Sequence, residues 1–439
     1  MPRADRRVLI VAYYFPPMGL SGVQRIARFV KYLPEFGWQP EVLTIDPAGY
    51  FAYDASLLDE LMQRGIPIHR TTSLDPTRLF GRSRQVALPA ESSRRKLAAL
   101  SHWLFVPDNK IGWMPAALRR GRAVLAERPF DAILATAPPY TAALIGQRLA
   151  AEAHLPLALD FRDDWVGNPR HVYPTALHRA AHLHLERRAL TAAGAIFTIN
   201  DRIRAAMLGR HAGVVTPEAF TVLPQGFDAA DFHPPHGTED GAARTDRRCR
   251  FVYSGVFYDR QKPDFFLQAL ARVLDRHPEW RDVVEAYFVG LLPAYVPALI
   301  ASLGLGPIVT ATGYKTHPEA IRHVVAADIL WLTVGSGPGQ AQISTSKLYE
   351  YLGTRKPILG LVPDGAARDV LSRDAAALTV DPENVPAIAE AIAMLVRGWM
   401  NGTLPQGDAT TRAPYERRRL TEALAGHLDD LVTSLCLPE

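Results

Sequence analysis

Short apolar runs rich in β-branched residues alternate with helical patterns along most of the chain, and each run predicts one strand. In the first half the predicted strands cover residues 8–12, 41–45, 132–135, 157–160, 195–199 and 221–223. In the second half they cover residues 251–254, 286–289, 308–311, 329–333, 357–361 and 378–380. Strands that alternate with helices are typical of parallel sheets, so we expect two doubly wound Rossmann-like α/β sheets.

A polar segment separates the two halves. Residues 233–248 are rich in Pro and Gly and lack any hydrophobic period, which predicts a surface loop at a domain junction. A chain of 439 residues is also too long for one ordinary hydrophobic core. Both observations predict two domains.

The composition describes an ordinary globular protein, with 48% hydrophobic and 21% charged residues. The formal charge of +4 is mildly basic, which suits phosphate-bearing substrates or an anionic membrane surface without selecting either. Because no Lys/Arg tract with interleaved aromatic residues occurs, we do not expect a nucleic-acid partner.

The cysteines and the N-terminal residues bear on the cellular location of the protein. Cys249 and Cys436 lie far apart without metal-ligand spacing, so a reducing cytosolic compartment fits, with neither disulfide nor zinc required. The apolar run at 8–12 is too short for a signal sequence or a membrane span. It is interpreted as the first buried strand.

Residues 94–122 depart from the α/β pattern. Basic residues here flank Trp103, Phe105, Ile111, Trp113 and Met114. Aromatic residues beside basic groups are typical of an interfacial membrane contact. The alternative is a helical excursion that packs on its own domain with its arginines in solvent.

The first candidate site follows the first predicted strand and contains Gly19 and Gly22, with Arg25 in the first turn of the next helix. A strand, a glycine-containing loop and a helix form a common phosphate site, because the helix presents unpaired N–H groups and glycine allows close approach. The alternative is that the glycines only shape a turn. The spacing matches neither the dinucleotide fingerprint nor a P-loop, which disfavours a nicotinamide dehydrogenase.

The second candidate site opens the second half, where a strand reaches Gly255 and two cations, Arg260 and Lys262, follow in one loop. These cations could hold a diphosphate and neutralise the charge on a leaving group. Loop cations in solvent are the alternative.

The third candidate site lies at a predicted helix start and contains Gln342, Ser344, Thr345, Lys347 and Glu350. Exposed amides together with the lysine would bind an anion, and the glutamate one turn later could accept two hydrogen bonds from a ribose diol. An ordinary helix cap with an exposed glutamate is the alternative.

A fourth cluster follows the strand at 157–160 and contains Arg162, Asp163 and Trp165. Charged residues at the carboxyl end of a strand lie where α/β sheets bind their ligands. A simple salt bridge between Arg162 and Asp163 is the alternative.

His178, His182 and Glu186 share a helical face at four-residue spacing, a pattern that metal ligands can form. Nothing further completes a ligand set, and the neighbouring arginines mark the helix as solvated, so no metal is expected.

Taken in order, these motifs resemble glycosyltransferase family 4 and its relatives with the GT-B fold, over nearly the whole chain. The resemblance rests on segments 13–17, 32–38, 160–165, 222–228, 255–262, 312–314 and 347–357, together with the Gly19/Gly22 loop. Each segment alone is weak evidence, but the ordered set is specific.

The resemblance implies a role for each matching residue. Gly19 and Gly22 would line the donor diphosphate or sugar, and Arg260 and Lys262 would hold the diphosphate. Glu350 occupies the ribose-binding position, the second glutamate of the family's E-x7-E motif. The backbone around Gly313 and Tyr314 would contact the base. The sequence departs from the family at Gln342, in place of the first glutamate, and at Gln225, in place of an asparagine.

The resemblance also implies an architecture. Residues 1–225 would form an acceptor-side Rossmann-like domain and residues 226–411 a nucleotide-sugar-binding one, with an interdomain cleft. Residues 412–439, where Leu420, Leu424 and Leu428 form a helical stripe, resemble the C-terminal helix that packs back on the first domain.

The implied function is transfer of a sugar from a nucleotide-sugar donor to a saccharide or lipid-linked acceptor, with retention and without a metal or other cofactor. Arg260 and Lys262 would stabilise the leaving group. Arg162, Asp163 and Trp165 would lie on the acceptor side, where Asp163 is the candidate polar group. The family context suggests polysaccharide or cell-envelope glycan synthesis by a cytoplasmic protein, peripheral on the inner face of the membrane. Two alternatives stay open: a sugar-nucleotide epimerase on the same fold, and an inactive binding or scaffold subunit, for which Gln342 is the hint.

Overall fold

The computed structural model describes residues 6–19, 21–47, 53–75, 100–232, 248–257 and 260–434. The chain divides into two compact units, the first formed by residues 1–224 and 418–439 and the second by residues 225–417. The chain therefore returns to the first unit at residue 418 rather than at 412. The loop predicted at 233–248 lies outside the described residues except for Arg248.

The first unit contains a seven-stranded parallel sheet in the order β3-β2-β1-β4-β5-β6-β7. Each strand pairs in parallel with its neighbours. Its strands are β1 (Arg6–Val11), β2 (Trp38–Ile45), β3 (Ile68–Thr71), β4 (Ala132–Ala137), β5 (Leu157–Phe161), β6 (Ala195–Thr198) and β7 (Phe220–Val222).

Helices cover both faces of this sheet, so successive residues of β1 enter two different cores. Leu9 and Val11 pack into one core, and Val8 and Ile10 pack into the other. Burial on both faces explains why the strands are continuous apolar runs rather than alternating ones. The helices are Ser21–Tyr32, Ser56–Gln63, Met114–Glu127, Tyr140–Ala153, Ala176–Ala192, Asp201–Arg210 and Arg417–Ser434.

The last of these helices contributes its apolar stripe to the first unit. Leu420, Leu424 and Leu428 are buried in the core that contains Val8 and Ile10. The helix is held in place at polar positions as well, because Asp429 accepts a hydrogen bond of 2.9 Å from Arg6.

The second unit contains a six-stranded parallel sheet in the order β10-β9-β8-β11-β12-β13. Its strands are β8 (Cys249–Ser254), β9 (Val284–Val289), β10 (Val309–Gly313), β11 (Ile329–Thr333), β12 (Ile358–Leu361) and β13 (Ala377–Val380). Its helices are Asp264–Arg276, Val296–Ser302, His317–Val325, Ser346–Thr354, Ala366–Leu371, Val385–Met400 and Ala409–Arg412. The prediction of two doubly wound sheets is confirmed.

All twelve predicted strands are present with slightly shifted ends, but β3 was not predicted. Ile68, His69 and Arg70 are only half-buried, and β3 lies at the edge of the sheet with β2 as its partner. A short, half-polar edge strand has neither a continuous apolar run nor clear alternation.

Two further observations concern the expectations about location and redox state. None of the helices in the described ranges combines the length and the apolar character needed to cross a bilayer. Cys249 is buried at the start of β8 and forms no disulfide with a described residue, whereas Cys436 lies outside the described residues.

Candidate functional site

The strand order of the second unit reverses between β8 and β11, which lie next to each other while their following strands lie on opposite sides. In doubly wound sheets, ligands bind at the carboxyl ends of the strands at such a switch point. Gly255 follows β8 directly, and the chain after β11 leads into the helix Ser346–Thr354. The second and third predicted sites therefore lie at the same place in this sheet.

Gly255 and Lys347 are in direct contact across this switch point. Gly255 has a φ of +132°, a backbone conformation that favours glycine. A Cβ atom at this position would lie 2.9 Å from Cε and 3.3 Å from Nζ of Lys347. Glycine is therefore required here both by the backbone angle and by the space that the lysine side chain occupies.

The Lys347 ammonium lies over the aromatic end of β8. Its Nζ donates a hydrogen bond of 2.7 Å to the hydroxyl of Tyr253, and it lies 4.6 Å from the centre of that ring. A weaker contact of 3.5 Å joins it to Oε1 of Gln261. Among the residues that the structure describes, no carboxylate forms an ion pair with it. Burial lowers the pKa of Lys347 to about 7, against the opposing effect of Glu350.

Glu350 lies on the same helix, three residues after Lys347, and is half-buried. Its carboxyl group makes neither a hydrogen bond nor an ion pair with any described residue. Burial raises its pKa, while His317 lowers it and Asp231 raises it further. A half-buried carboxyl group without a partner is costly unless a ligand satisfies it.

The helix Ser346–Thr354 begins at this point with Thr345 as its N-cap residue. The Oγ1 atom of Thr345 is buried and has no hydrogen-bond partner among the described residues, and Ser344 is buried beside it. The first turn of the helix carries no acidic residue. The unpaired N–H groups and the positive end of the helix dipole therefore favour an anion.

Arg260 and Lys262 are both exposed. Arg260 donates a hydrogen bond of 3.1 Å from Nη1 to the carbonyl of Ser336, and a Cβ atom on Gly337 would lie 2.7 Å from the same Nη1 atom. Lys262 makes no hydrogen bond or ion pair with a described residue. It directly follows Gln261, so its loop reaches the Lys347 ammonium.

The loop predicted to contact the base is adjacent to Gly255. Gly313 ends β10 with a φ of +73°, and its carbonyl accepts a hydrogen bond of 3.0 Å from the N–H of Gly290. A Cβ atom on Gly290 would lie 2.2 Å from the carbonyl oxygen of Gly255. The structure thus brings together the loops of Gly255, Gly313 and Lys347. Tyr314 and Gln342 flank this region and are half-buried.

Sequence reasoning did not identify Tyr253, Gln261 or the pair formed by His317 and Asp231. Nε2 of His317 lies 3.0 Å from Oδ2 of Asp231. Tyr253 resembled any apolar strand residue, so its role as hydrogen-bond acceptor for a lysine distant in sequence had no sequence signal. His317 had one weak signal, its position three residues after Tyr314.

In the first unit, Arg162 lies against the Gly22 loop. Its guanidinium is buried and donates hydrogen bonds to the carbonyls of Gly22 and Pro138. A Cβ atom on Gly22 would lie 2.7 Å from Nη1 of Arg162. Burial lowers the pKa of Arg162. Gly22 therefore accommodates this arginine, and Arg162 bonds to carbonyl groups rather than to Asp163. Gly19 is half-buried in the same loop.

Arg25, which was predicted to lie in the first turn of the helix, forms a buried ion pair with Asp160. The distance is 2.8 Å and the two side chains are 0% and 2% exposed. Arg25 also donates a hydrogen bond of 2.7 Å to the carbonyl of Pro224, and Thr136 donates one to Asp160. This pair fixes the helix Ser21–Tyr32 to the end of β5.

Asp163 and Trp165 differ in accessibility. Asp163 is half-buried and makes no hydrogen bond or ion pair within the described ranges; burial raises its pKa, and Arg170 opposes this shift. Trp165 was predicted to face the acceptor, but it is fully buried. Its Nε1 donates to Nδ1 of His182 at 3.2 Å, and its ring stacks on Tyr140 at 4.7 Å. Trp165 is a core residue, because a large aromatic side chain after a buried strand fills the core.

His182 and Glu186 are buried, so the helix is not solvated on this face as was expected. Glu186 accepts hydrogen bonds from Arg210 at 3.0 Å and pairs with His211 at 2.7 Å. The face is a structural ion-pair cluster. In the part of the chain with described structure, no group of three or more His, Cys, Asp or Glu residues is arranged to hold a metal.

The aromatic residues of the predicted membrane stretch at 94–122 lie in different environments. Residues 94–99 lie outside the described residues. Trp113 is fully buried and donates a hydrogen bond of 2.7 Å to Oγ1 of Thr71, so it is part of the core and cannot contact a membrane. Trp103, by contrast, is 56% exposed.

Residues 22–226 match the glycosyl transferase 4-like domain. The lipopolysaccharide core biosynthesis mannosyltransferase LpcC of Rhizobium leguminosarum bv. viciae is 38% identical over 67 residues. That alignment covers 15% of this chain and 19% of the relative's length.

Solved structures resemble the chain over nearly its whole length. A glycosyltransferase from Rickettsia africae ESF-5 matches with a TM-score of 0.63 and 12% identity, over 97% of this chain and 98% of the other. Sucrose-phosphate synthase (tll1590) from Thermosynechococcus elongatus matches with a TM-score of 0.64 and 15% identity, over 98% and 99%. Anabaena Alr3699/HepE in complex with UDP-glucose matches with a TM-score of 0.54 and 15% identity, over 98% of both chains.

At these identities the structural matches establish the fold alone, and they confirm the GT-B architecture predicted from the ordered motifs. The family match rests on the first unit, where those motifs begin. Residues 22–226 are thus similar to the glycosyl transferase 4-like domain, and the chain has the GT-B fold.

Proposed function

We propose that this protein is a glycosyltransferase that moves a sugar from a nucleotide-sugar donor to a saccharide or lipid-linked acceptor. The observation that carries the proposal is the desolvated Lys347 ammonium, which lies at a helix N-terminus without a carboxylate partner among the described residues. Similar proteins support the proposal. They include a mannosyltransferase, a sucrose-phosphate synthase and a protein whose structure was solved in complex with UDP-glucose.

In the proposed complex, the donor diphosphate takes the place beside Lys347 and the first turn of the helix Ser346–Thr354. Its oxygens accept hydrogen bonds from the ammonium group and the unpaired backbone N–H groups. Arg260 and Lys262 add two exposed positive charges from the loop after β8. Gly255 leaves room for the Lys347 side chain beside the diphosphate, because it carries no Cβ atom.

The reaction breaks the bond between the anomeric carbon and the donor phosphate oxygen. The electron pair leaves with the nucleoside diphosphate, and an acceptor hydroxyl forms the new glycosidic bond and loses its proton. The positive groups beside the diphosphate stabilise the charge that develops on it, which is the largest contribution such a site can make. These side chains supply that stabilisation without a metal, and retention of configuration is proposed from the family resemblance.

Glu350 is proposed to bind the ribose. Its carboxyl group lies three residues after Lys347 and has no partner among the described residues, so it can accept hydrogen bonds from a vicinal diol. The loops of Gly313 and Tyr314 are proposed to contact the base. Gln342 is proposed to hydrogen-bond sugar hydroxyls as an uncharged amide.

The acceptor side is proposed to involve Asp163 in the first unit. Its half-buried carboxyl group is unpaired within the described ranges, and burial raises its pKa. A group of this kind can accept the proton of an acceptor hydroxyl. We place the reaction in polysaccharide or cell-envelope glycan synthesis, on the cytoplasmic side of the membrane.

A thermal-shift screen tests this proposal. The protein is heated with UDP-, GDP-, ADP- and TDP-sugars and with the free nucleoside diphosphates. A ligand that binds the folded state raises the melting temperature by mass action. Selective stabilisation by one donor is expected. Absence of any shift with every nucleotide would contradict the proposal.

The selected donor then separates the alternative functions. A transferase releases nucleoside diphosphate only when an acceptor extract is present. An epimerase would convert the donor sugar without an acceptor and without releasing nucleoside diphosphate. A scaffold subunit would bind the donor and show neither reaction.

A further inference from the structure

The first unit carries a group of exposed large hydrophobic side chains that the candidate site does not use. Leu100, Trp103 and Leu104 are 56%, 56% and 65% exposed, and Val172 and Leu177 are 63% and 80% exposed. We call these five residues the outer patch. Exposed apolar groups that cluster in this way mark an interaction surface rather than ordinary scattered exposure.

The two segments that form the outer patch are in contact. The ring of Trp103 lies 5.3 Å from the ring of His178, and Nε2 of His178 lies 3.3 Å from the Trp103 carbonyl oxygen. The ring of His102 lies 5.2 Å from that of His171. Val172 and Leu177 are sequence neighbours of His171 and His178, so the two contacting segments present their exposed apolar side chains on the same part of the surface.

Buried aromatic residues support this region from below. His171 stacks on Tyr140 at 5.7 Å and contacts the ring of His182 at 4.9 Å. Tyr140 in turn stacks on the buried Trp165. The outer patch is therefore attached to the core of the first unit, and its exposure is a property of the folded domain.

The exposed charged residues of the two segments that carry the outer patch have one sign. From residue 167 to residue 192 the exposed charged side chains are four arginines, and residues 100–107 contain no charged residue. Glu186 is the acidic residue in that stretch, and it is buried and paired with Arg210 and His211. The arginines are Arg170, Arg179, Arg187 and Arg188.

We propose that the outer patch docks the first unit onto an anionic lipid surface. Leucine and valine side chains would enter the boundary between headgroups and acyl chains, and Trp103 would lie at the interface, where its apolar ring and polar N–H are both satisfied. The arginines would contact anionic headgroups. A second copy of the chain fits less well, because a two-fold symmetric contact would bring the same arginines face to face.

This surface differs from the predicted stretch at 94–122. Of the aromatic residues predicted there, Trp103 belongs to the outer patch, whereas Trp113 belongs to the core. Val172 and Leu177 come from a segment about seventy residues later, which only the folded arrangement of the chain brings beside Trp103.

Flotation of the full chain with vesicles tests this inference. Vesicles of phosphatidylcholine alone are compared with vesicles that also contain phosphatidylglycerol. We expect binding to the anionic vesicles that weakens with added salt, because the charge contribution is screened. The triple variant W103S/L104S/L177S is expected to lose at least about tenfold in partitioning, as expected for removing three interfacial apolar side chains.

Two further variants complete the design. R179Q/R188Q is expected to lose about fivefold per arginine on anionic vesicles and to be unchanged on neutral ones. The control M394S/M400S removes two side chains that are 52% and 51% exposed in the second unit, and it is expected to bind like the unaltered protein.

Three outcomes would overturn the inference. In the first, the unaltered protein does not bind anionic vesicles. In the second, the triple variant binds them as well as the control does. In the third, the triple variant abolishes a concentration-dependent dimer in sedimentation while its vesicle binding persists. The thermal shift by the donor is measured on every variant. Because the outer patch shares no residue with the proposed donor site, that shift is expected to stay unchanged.

Discussion

The Nζ atom of Lys347 donates a hydrogen bond of 2.7 Å to the hydroxyl oxygen of Tyr253. Tyr253 is fully buried in β8, so the lysine side chain lies over the end of the central strands. A neutral hydroxyl group does not offset the cost of burying a positive charge, and the pKa of Lys347 falls to about 7. A diphosphate would supply the missing negative charge.

This low pKa predicts that donor binding weakens as pH rises through 7. Lysine is charged below its pKa, and the charged form binds the anion, so the affinity should fall up to about tenfold per pH unit above 7. The measurement is the dissociation constant of a nucleotide sugar between about pH 6 and pH 8.5, a range in which its diphosphate does not titrate. In the variant Lys347→Met the affinity should be lower and independent of pH. A flat profile for the unaltered protein would contradict the assignment.

Glu350 is expected to contribute through hydrogen bonds to the ribose. Replacement by alanine removes both acceptors and should weaken donor binding by about ten- to a hundredfold, since hydrogen bonds to a charged group contribute about 1.5–3 kcal/mol. Glu350→Gln keeps one acceptor oxygen and should lose less donor affinity than Glu350→Ala. The control Glu390→Ala alters an exposed glutamate of the same unit and should bind normally. Calorimetric titration compares the three. Equal affinity of Glu350→Ala and the control would refute the ribose role.

Gly255→Ala is expected to damage both the backbone and the site. A φ of +132° is strained for alanine, at a cost of about 1–3 kcal/mol, and the new methyl group would displace Lys347. Donor binding should therefore fall together with the melting temperature. Gly304→Ala is the matched control, because Gly304 has a φ of +63° and no atom within 4 Å of its ideal Cβ position. It should lower the melting temperature and leave donor binding intact.

The buried ion pair between Arg25 and Asp160 is expected to stabilise the first unit. Asp160→Asn leaves the buried guanidinium uncompensated and should cost about 3–5 kcal/mol of the free energy of unfolding. Glu127→Gln breaks an exposed pair with Arg120 and should cost less than about 1 kcal/mol. Urea denaturation measures both. Similar midpoints for the two variants would show that the buried pair contributes little.

Much of the fold could be predicted because strands buried on both faces are continuous apolar runs. Every such run became a strand. The edge strand β3 was missed because His69 and Arg70 interrupt its apolar character and the sheet covers it on one side only. The chain returns to the first unit at residue 418, later than the predicted 412, because Tyr415 packs in a core of the second unit.

The candidate site was predicted as separate segments, and their proximity came from the structure. Local spacing placed Lys347 and Glu350 on one helix, but the contact with Gly255 and Tyr253 depends on the order of the strands. Trp165 was misplaced because an aromatic residue beside charged ones has the same local pattern whether it faces a ligand or the core. The outer patch could not be predicted as one surface either, because its two segments are far apart in sequence.

The central claim is that the second unit binds the donor diphosphate at the loop after β8. Lys262 offers the most direct test, because it is exposed and makes no hydrogen bond or ion pair with a described residue, so its removal should leave folding unchanged. Arg272→Ala, an exposed cation on the next helix, is the control. Calorimetric titration with the selected nucleotide sugar should show at least about tenfold weaker binding for Lys262→Ala and unchanged binding for Arg272→Ala. Equal affinities for the two variants would contradict the account.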